Sequence, residues 1–254
     1  MPPVLAATPH TAIRRQPERG RYDRATVDAI LDEAFVAHVG IAVDGQPYVL
    51  PMACGRDGDR LLLHGSVASR LLRALEDGAP VCVTVTLVDG LVLAHAQRNH
   101  SLNYRSVVVL GTATRLRDDT AAAALARIVD HIVPGRAGEA RAATDVELRD
   151  TMVLAVPIEE ASAKVRTGPP TPPSDEDRAV PRWAGVLPLT LVTGAPIPTD
   201  DSRHLPAPAS SQNASRSYGT PSRTGPVAPA ASATGWKATS QRAGRSTADL
   251  GASA

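Results

Sequence analysis

What this chain lacks narrows its chemistry before anything it contains is considered. It has two cysteines, Cys54 and Cys82, each inside an apolar strand-like run. Two thiols can pair, but free, buried cysteines in a reducing compartment are the expectation. Met1 to Gly20 holds no apolar run of signal-peptide length, and no stretch approaches the roughly 18 uninterrupted apolar residues of a membrane span. A cytoplasmic location without membrane contact follows as the default. The formal net charge is only +1, and basic residues gather beyond Asp201, leaving the body slightly acidic. That distribution makes no electrostatic footprint for nucleic acid. GxSxG, Walker and GxGxxG motifs are missing, and the acidic pairs Asp118-Asp119 and Glu159-Glu160 read as a helix start and a solvated face.

What is present is ordinary for a globular chain of 254 residues, with 43% hydrophobic and 21% charged residues. Residues 1–20 read as a mobile arm. Asp23 caps a helix with Val27, Ile30, Leu31 and Ala34 on one face. Phe35 to Val43 and Tyr48 to Ala53 read as strands joined at Asp44-Gly45. Pro51 marks an edge, a bulge or a place where something other than a strand meets the backbone. Strands follow at Arg60 to His64, Val81 to Val88, Leu91 to His95, Tyr104 to Leu116 and Met152 to Ile158, with Asp89-Gly90 read as another hairpin turn. A helix spans Asp118 to Val133 with Leu125, Ile128, Val129 and Ile132 on its inner face, and Val146 to Leu148 adds a helical turn. Short antiparallel strands with few helices argue for a mainly β, α+β barrel with peripheral helices. Trp183, Val186, Leu187, Leu189 and Leu191 pack back on it, so the domain spans 21–198. The Ser/Ala/Pro/Arg-rich segment 199–254 has too few large apolar groups to offset its ordering entropy and is expected to be disordered.

The most informative stretch is Leu61 to Leu75, a strand that turns through His64, Gly65 and Ser66 into a helix. With Ser66 as N-cap, Ser69 and Arg70 fall in the first helical turn, where a phosphate is favoured. Ordinary turn chemistry is the competing reading. Seven histidines, among them His38, His64, His95 and His100, invite a metal or haem reading, yet none has helical metal-ligand spacing or a CxxC partner.

The Asp-Gly hairpin, the Arg56-Asp57-Gly58-Asp59 turn, Leu61-Leu62-Leu63-His64-Gly65-Ser66 and the Ser69-Arg70 helix start together resemble the pyridoxamine 5′-phosphate oxidase-like flavoproteins. His100 to Gly111 is similar to the matching stretch in the branch related to nitroimidazole-resistance proteins. The resemblance covers about Pro17 to Pro188 and implies an antiparallel FMN-binding split β-barrel that forms a homodimer, with FMN at the interface. Arg70 then matches a phosphate-binding lysine, Ser69 replaces an arginine, and Leu50 stands near a second replaced arginine. The resemblance also implies that Pro51, Met52 and Ala53 pass behind the isoalloxazine and that Gly65, Ser66, Ser69 and Arg70 surround the phosphate. His64 orients the ring or donates a proton, as the catalytic residue, and Ser101, Asn103 and Tyr104 come from the other strand region, across the dimer. The expected function is an FMN-dependent oxidoreductase on a small substrate such as a nitroaromatic. The alternatives are a deazaflavin-dependent reductase and a non-catalytic flavin- or haem-binding protein. No metal site is expected.

Overall fold

The structure, a computed structural model, describes residues 5–180 and 182–213. In chain order its elements are β1 (Gly20–Arg21), α1 (Arg24–Glu33), β2 (Val36–Val43), β3 (Gln46–Asp57), β4 (Arg60–Ser66), α2 (Arg70–Glu76) and β5 (Pro80–Leu93). Then come β6 (Ser101–Thr112), β7 (Thr114–Leu116), α3 (Asp118–Ile132), α4 (Arg136–Glu139), α5 (Asp145–Asp150) and β8 (Thr151–Pro157). The series ends with β9 (Glu160–Arg166), α6 (Asp175–Ala179), β10 (Gly185–Pro188) and α7 (Ser210–Asn213).

Local chemistry explains several boundaries. The Asp23 carboxylate accepts from the Thr26 N–H at 2.8 Å, which starts α1. Asp44 and Gly45 both take positive φ, 52° and 78°, the geometry a two-residue type I′ hairpin needs. Asp89-Gly90 does not turn the chain. Strand β5 runs through it with a bulge after Val88, where the Asp89 carboxylate is drawn to Arg105. Gly90 is needed for a different reason: a β-carbon there would lie 3.1 Å from the Leu187 carbonyl of β10, which pairs with this end of β5. Pro157 ends β8, which has a partner on each side and is not an edge strand.

All the strands belong to one 10-stranded antiparallel sheet ordered β1-β9-β6-β5-β2-β3-β4-β8-β7, with β10 added on β5. The sheet curls until β6 approaches β8, where a β-carbon at Gly111 would sit 3.8 Å from Val156. No ladder joins those two strands, so the barrel is split rather than closed. Val39, Leu61, Leu63, Val83, Val109 and Leu154 fill its interior, and α1 and α2 add Val27, Ile30, Leu31, Leu71, Leu72 and Leu75. Outside the barrel α3 covers Leu62, Val153 and Ala155. It does so through Ala121, Ala124, Ile128 and His131, not the Leu125 side expected from hydrophobic spacing. The small residues let the helix sit close to the sheet, and Gly55 makes room for it, since a β-carbon there would meet the Ile128 backbone at 3.1 Å. His131 is a structural residue, its Nε2 2.7 Å from the Ala34 carbonyl oxygen and its Nδ1 accepting from the Arg56 N–H at 3.3 Å.

Two segments expected to be loose are docked. Residues 5–22, within and just beyond the expected mobile arm, lie against β9: Gly20 and Arg21 pair with Lys164 and Ala163, and the Thr8 hydroxyl donates to Glu160. At the start of the expected tail, Ser210 is buried and hydrogen-bonded through its N–H and hydroxyl to Glu139. The rest of that tail, from 214 onward, lies outside the described residues. Cys54 is buried and Cys82 half-buried, and the two are not joined by a disulfide.

Arg105 ties three elements together. From β6 it meets Glu33 at the end of α1 and Asp89 in the β5 bulge, with Nη2 at 2.8 Å from Asp89. The hydrogen bonds it donates to Glu33 and then Asp89 push its pKa far up, so it is charged at any working pH. Arg105→Leu would leave two partly buried carboxylates facing each other without a cation. We expect a loss of about 2–4 kcal/mol near neutral pH, read from urea unfolding midpoints. A deficit that persists in full when Glu33 and Asp89 are also replaced by Gln and Asn would assign the loss to packing instead.

Candidate functional site

The site expected from the sequence lies where β3 and β4 part. β2 pairs with β3 along its whole length, Val36 against Ala53 through Val43 against Gln46. β4 pairs with β3 only from Cys54–Leu63 to Asp57–Arg60. The edge of β3 from Gln46 to Ala53 is therefore free on one side. The Cys54 N–H bonds to Phe35 at 3.2 Å, toward β2. Alternation then turns residues 47, 49, 51 and 53 toward the free side. Two of these are prolines, Pro47 and Pro51, which have no N–H. The open edge thus offers N–H donors only at Val49 and Ala53, which blunts it against strand addition.

Side-chain alternation divides the expected site residues between two faces. Leu61 and Leu63 point into the barrel and Leu62 toward α3, so His64 and Ser66 follow Leu62 to the outer face. Pro51 and Ala53 share that face, while Met52 lies on the inner one. Gly65 points inward, where a β-carbon would come to 2.9 Å from Leu72. His64 is half-buried, its Nδ1 is enclosed without a hydrogen-bond partner, and burial lowers its pKa. A neutral imidazole results, able to accept, donate or bind a metal through its other nitrogen.

The helix start differs from expectation. Ser69, not Ser66, is the N-cap of α2, its hydroxyl accepting from the Leu72 N–H at 3.4 Å, and the Ser66 hydroxyl accepts from the Ala68 N–H at 3.1 Å. Arg70 stacks on Tyr48, its guanidinium carbon 4.3 Å from the ring centroid. Tyr48 pairs with the buried Ile41, so Arg70 sits on the barrel side of the open edge, opposite His64. In one chain these two residues do not converge.

Ser101, Asn103 and Tyr104 begin β6, with β5, β2 and β3 between them and His64. They adjoin residues that the sequence reading missed: Arg166, the last residue of β9, hydrogen-bonds Asn103 and stands opposite Tyr104. Nothing in the polar, small-residue sequence of β9 marked it as a strand. On the outer face beside His64 a cleft of about 510 Å³ is lined by Arg115, Leu116, Arg117, Asp118, Asp119 and Thr151, among others. Thr151 at its edge pairs with Ser66, but neither Ser66 nor His64 lines it. Its charges are mixed, and Arg115 and Arg117 are already held by Glu76. His38 is exposed on β2, His100 has its Nδ1 3.1 Å from the Ala96 carbonyl oxygen, and His95 is the other histidine with an enclosed, unpartnered Nδ1. Among the described residues no cluster of three His, Cys, Asp or Glu side chains is placed to hold a metal ion.

An antiparallel split barrel with an open seam beside a strand-to-helix turn defines a class of proteins, and the sequence assigns the chain within it. Residues 23–165 match the family model described as pyridoxamine 5′-phosphate oxidase, and the chain belongs to that family. Its fold is similar to that of the FAD and heme binding protein from Mycobacterium smegmatis, with 38% identity, a TM-score of 0.75, and 79% of this chain and 98% of that one covered. It is equally similar to the flavocytochrome Anf3 from Azotobacter vinelandii, at 41% identity and a TM-score of 0.74, covering 81% and 96%. A protein from Bacteroides thetaiotaomicron assigned to 5-nitroimidazole antibiotic resistance matches at 26% identity and a TM-score of 0.49, over 57% of this chain and 86% of that one. No curated protein sequence matches the chain.

The burial of His64 gives a pH test. Its pKa is lowered from 6.5 by desolvation, so the unfolded chain takes up the proton at a higher pH than the folded one. Above the unfolded value both states are neutral and the residue contributes no pH dependence. As the pH falls below that value the unfolded state gains protons first, and folding stability declines. His64→Gln should therefore flatten the stability–pH curve on the acid side of the unfolded value. An identical slope in wild type and variant would show that His64 is not desolvated.

Proposed function

We propose that this chain is a flavin- and haem-binding redox protein that moves electrons between a small reductant or oxidant and its cofactors. The observation that supports this reading best is its similarity, over nearly their full length, to two proteins described respectively as FAD and heme binding and as a flavocytochrome. The expectation of FMN is thereby widened to a flavin nucleotide, with FAD favoured, and haem moves from an alternative to a partner of the flavin.

The residues present fit both groups. The free edge of β3 presents Val49 and Ala53 N–H groups beside Pro51, a neutral strip suited to the edge of a planar ring. His64, neutral through burial, stands on the same outer face. His64 and His95 are the two histidines with an enclosed Nδ1 that lacks a partner, and a haem iron takes a neutral imidazole. In this reading one of them would hold the haem, and His64 otherwise would orient the flavin or supply a proton to it. A bound flavin supplies hydride or single-electron chemistry and a haem supplies one-electron passage. Ser66, Ser69 and Arg70 remain candidates for the flavin phosphate only if the nucleotide wraps around the β3 edge, since Arg70 lies on the inner side.

A homodimer belongs to the same proposal. Among the described residues no helix covers the outer face of β2, β5 and β6 or of β3 before Cys54, and this face exposes Val36 and Val49, while Leu102 and Leu187 are exposed near its far end. A second copy laid there would bring Asn103 and Tyr104 toward the first copy's β3 edge. Size-exclusion chromatography with light scattering should give twice the chain mass.

The purified protein is expected to show flavin absorption together with a Soret band, and mass spectrometry of the released cofactors identifies the flavin. Of His64→Ala and His95→Ala, the one that abolishes the Soret band while the fold is kept identifies the ligand. A protein that binds neither group after reconstitution would overturn the reading.

A further inference from the structure

Arg166 is one of the most buried charged side chains among the described residues, with 8% of its surface exposed, and no carboxylate of those residues lies within ion-pair distance of it. Its Nη1 donates to the Asn103 side-chain oxygen and its Nη2 makes a long bond, 3.4 Å, to the Pro169 carbonyl. Asn103 is itself 9% exposed and fixed from its other end, donating to the Gly168 carbonyl at 3.1 Å. Both partners of the guanidinium are neutral. A guanidinium carries five N–H donors, so most of the fork is unused.

The neighbouring charges make the site more positive. Burial disfavours the Arg166 charge most, Arg19 in the turn before β1 adds to that, and Tyr104 acts in the opposite direction. The carboxylate nearest to Arg19 is Glu18, 3.8 Å from its Nε. Glu160, at the other end of β9, is engaged by Thr8 and by His10 at 3.4 Å. Lys164 donates to the Arg15 carbonyl at 3.3 Å, adding a further cation on β9. Leaving a buried guanidinium without a counter-charge is costly, whereas Arg105 in the same sheet has two carboxylates. An oxyanion that takes the free side of the Arg166 fork removes that cost.

We propose that Arg166, held in place by Asn103 and reinforced by Arg19, is the anchor for an oxyanion of the bound redox cofactor. The group is a phosphate of the flavin nucleotide or a propionate of the haem, both of which suit a bidentate guanidinium. The proposal rests on the functional reading above. It gives the Ser101–Tyr104 region a defined role and supplies the strong anion contact that Arg70, stacked on Tyr48, does not offer at the outer face.

The test compares the cofactor-free protein and its Arg166→Gln variant against paired ligands: FAD or FMN against riboflavin, which has no phosphate, and haemin against its dimethyl ester, whose propionates are blocked. Wild type is expected to prefer the anionic member of one pair, and Arg166→Gln to lose about tenfold or more of that preference while binding the uncharged member as before. The pair that collapses names the source of the anion. Arg166→Lys keeps the charge without the fork, should lose the preference in part, and serves if the glutamine variant does not fold. A folded variant that keeps both preferences in full overturns the proposal. If wild type binds neither flavin nor haem, the functional reading fails, and inorganic pyrophosphate then tests the anchor alone. A rise in wild-type melting temperature that Arg166→Gln lacks supports it, and no rise overturns it.

Discussion

The architecture depends on one interrupted ladder. Had β4 continued to pair with β3 past Cys54 and Leu63, the edge from Gln46 to Ala53 would be sealed and the barrel would have no opening there. Past that point Leu72 of α2 packs against Gly65, where a β-carbon would come to 2.9 Å from it, and the two prolines have no N–H for further pairing. Helix α2 closes the end of the barrel with Leu71, Leu72 and Leu75. The same contacts that complete the core leave an unpaired backbone edge, and that edge is where a flat cofactor could be met.

Everything near the opening follows from which face a side chain takes. Period-two alternation sends His64 and Ser66 outward and Gly65 and Met52 inward, so residues adjacent in sequence serve different purposes. His64 is desolvated and neutral against the α3 side of the sheet. Arg70, six positions later, belongs to the barrel end through its stack on Tyr48. A second division runs across the sheet, which puts the start of β6 and the end of β9 far from β4. The proposed homodimer would join such separated halves across a two-fold axis.

The buried arginines show how electrostatics follows from this geometry. Arg105 closes a triad with Glu33 and Asp89 and fastens α1 and the β5 bulge to β6. Arg166, on the strand next to β6, has an amide and a carbonyl in place of carboxylates. Satisfied charge stabilises the fold, and unsatisfied charge is what a ligand can exploit.

Much of the fold was legible in the chain itself, because short-range chemistry decides it. The Asp23 cap, the Asp44-Gly45 hairpin, the β-branched strands and the proline stop after α3 need only neighbours a few residues away. The strand-to-helix turn between His64 and Arg70 was legible for the same reason, but not that α2 starts from Ser69 or that Arg70 and His64 take opposite faces. Asp89-Gly90 carries the same turn signal as Asp44-Gly45, yet β10 and Arg105 hold it extended as a bulge. Strand β9 has little hydrophobic pattern and exists because β6 and β1 pair with it. His131 enters the α3 interface because Ala34 and Arg56 offer it hydrogen bonds from other elements, and Arg166 meets Asn103 across 63 positions. Sequence by itself determined where helices and strands begin and which family the chain resembles. Only tertiary structure decided which face each residue shows and which charges go unpaired, since both depend on partners brought together by folding.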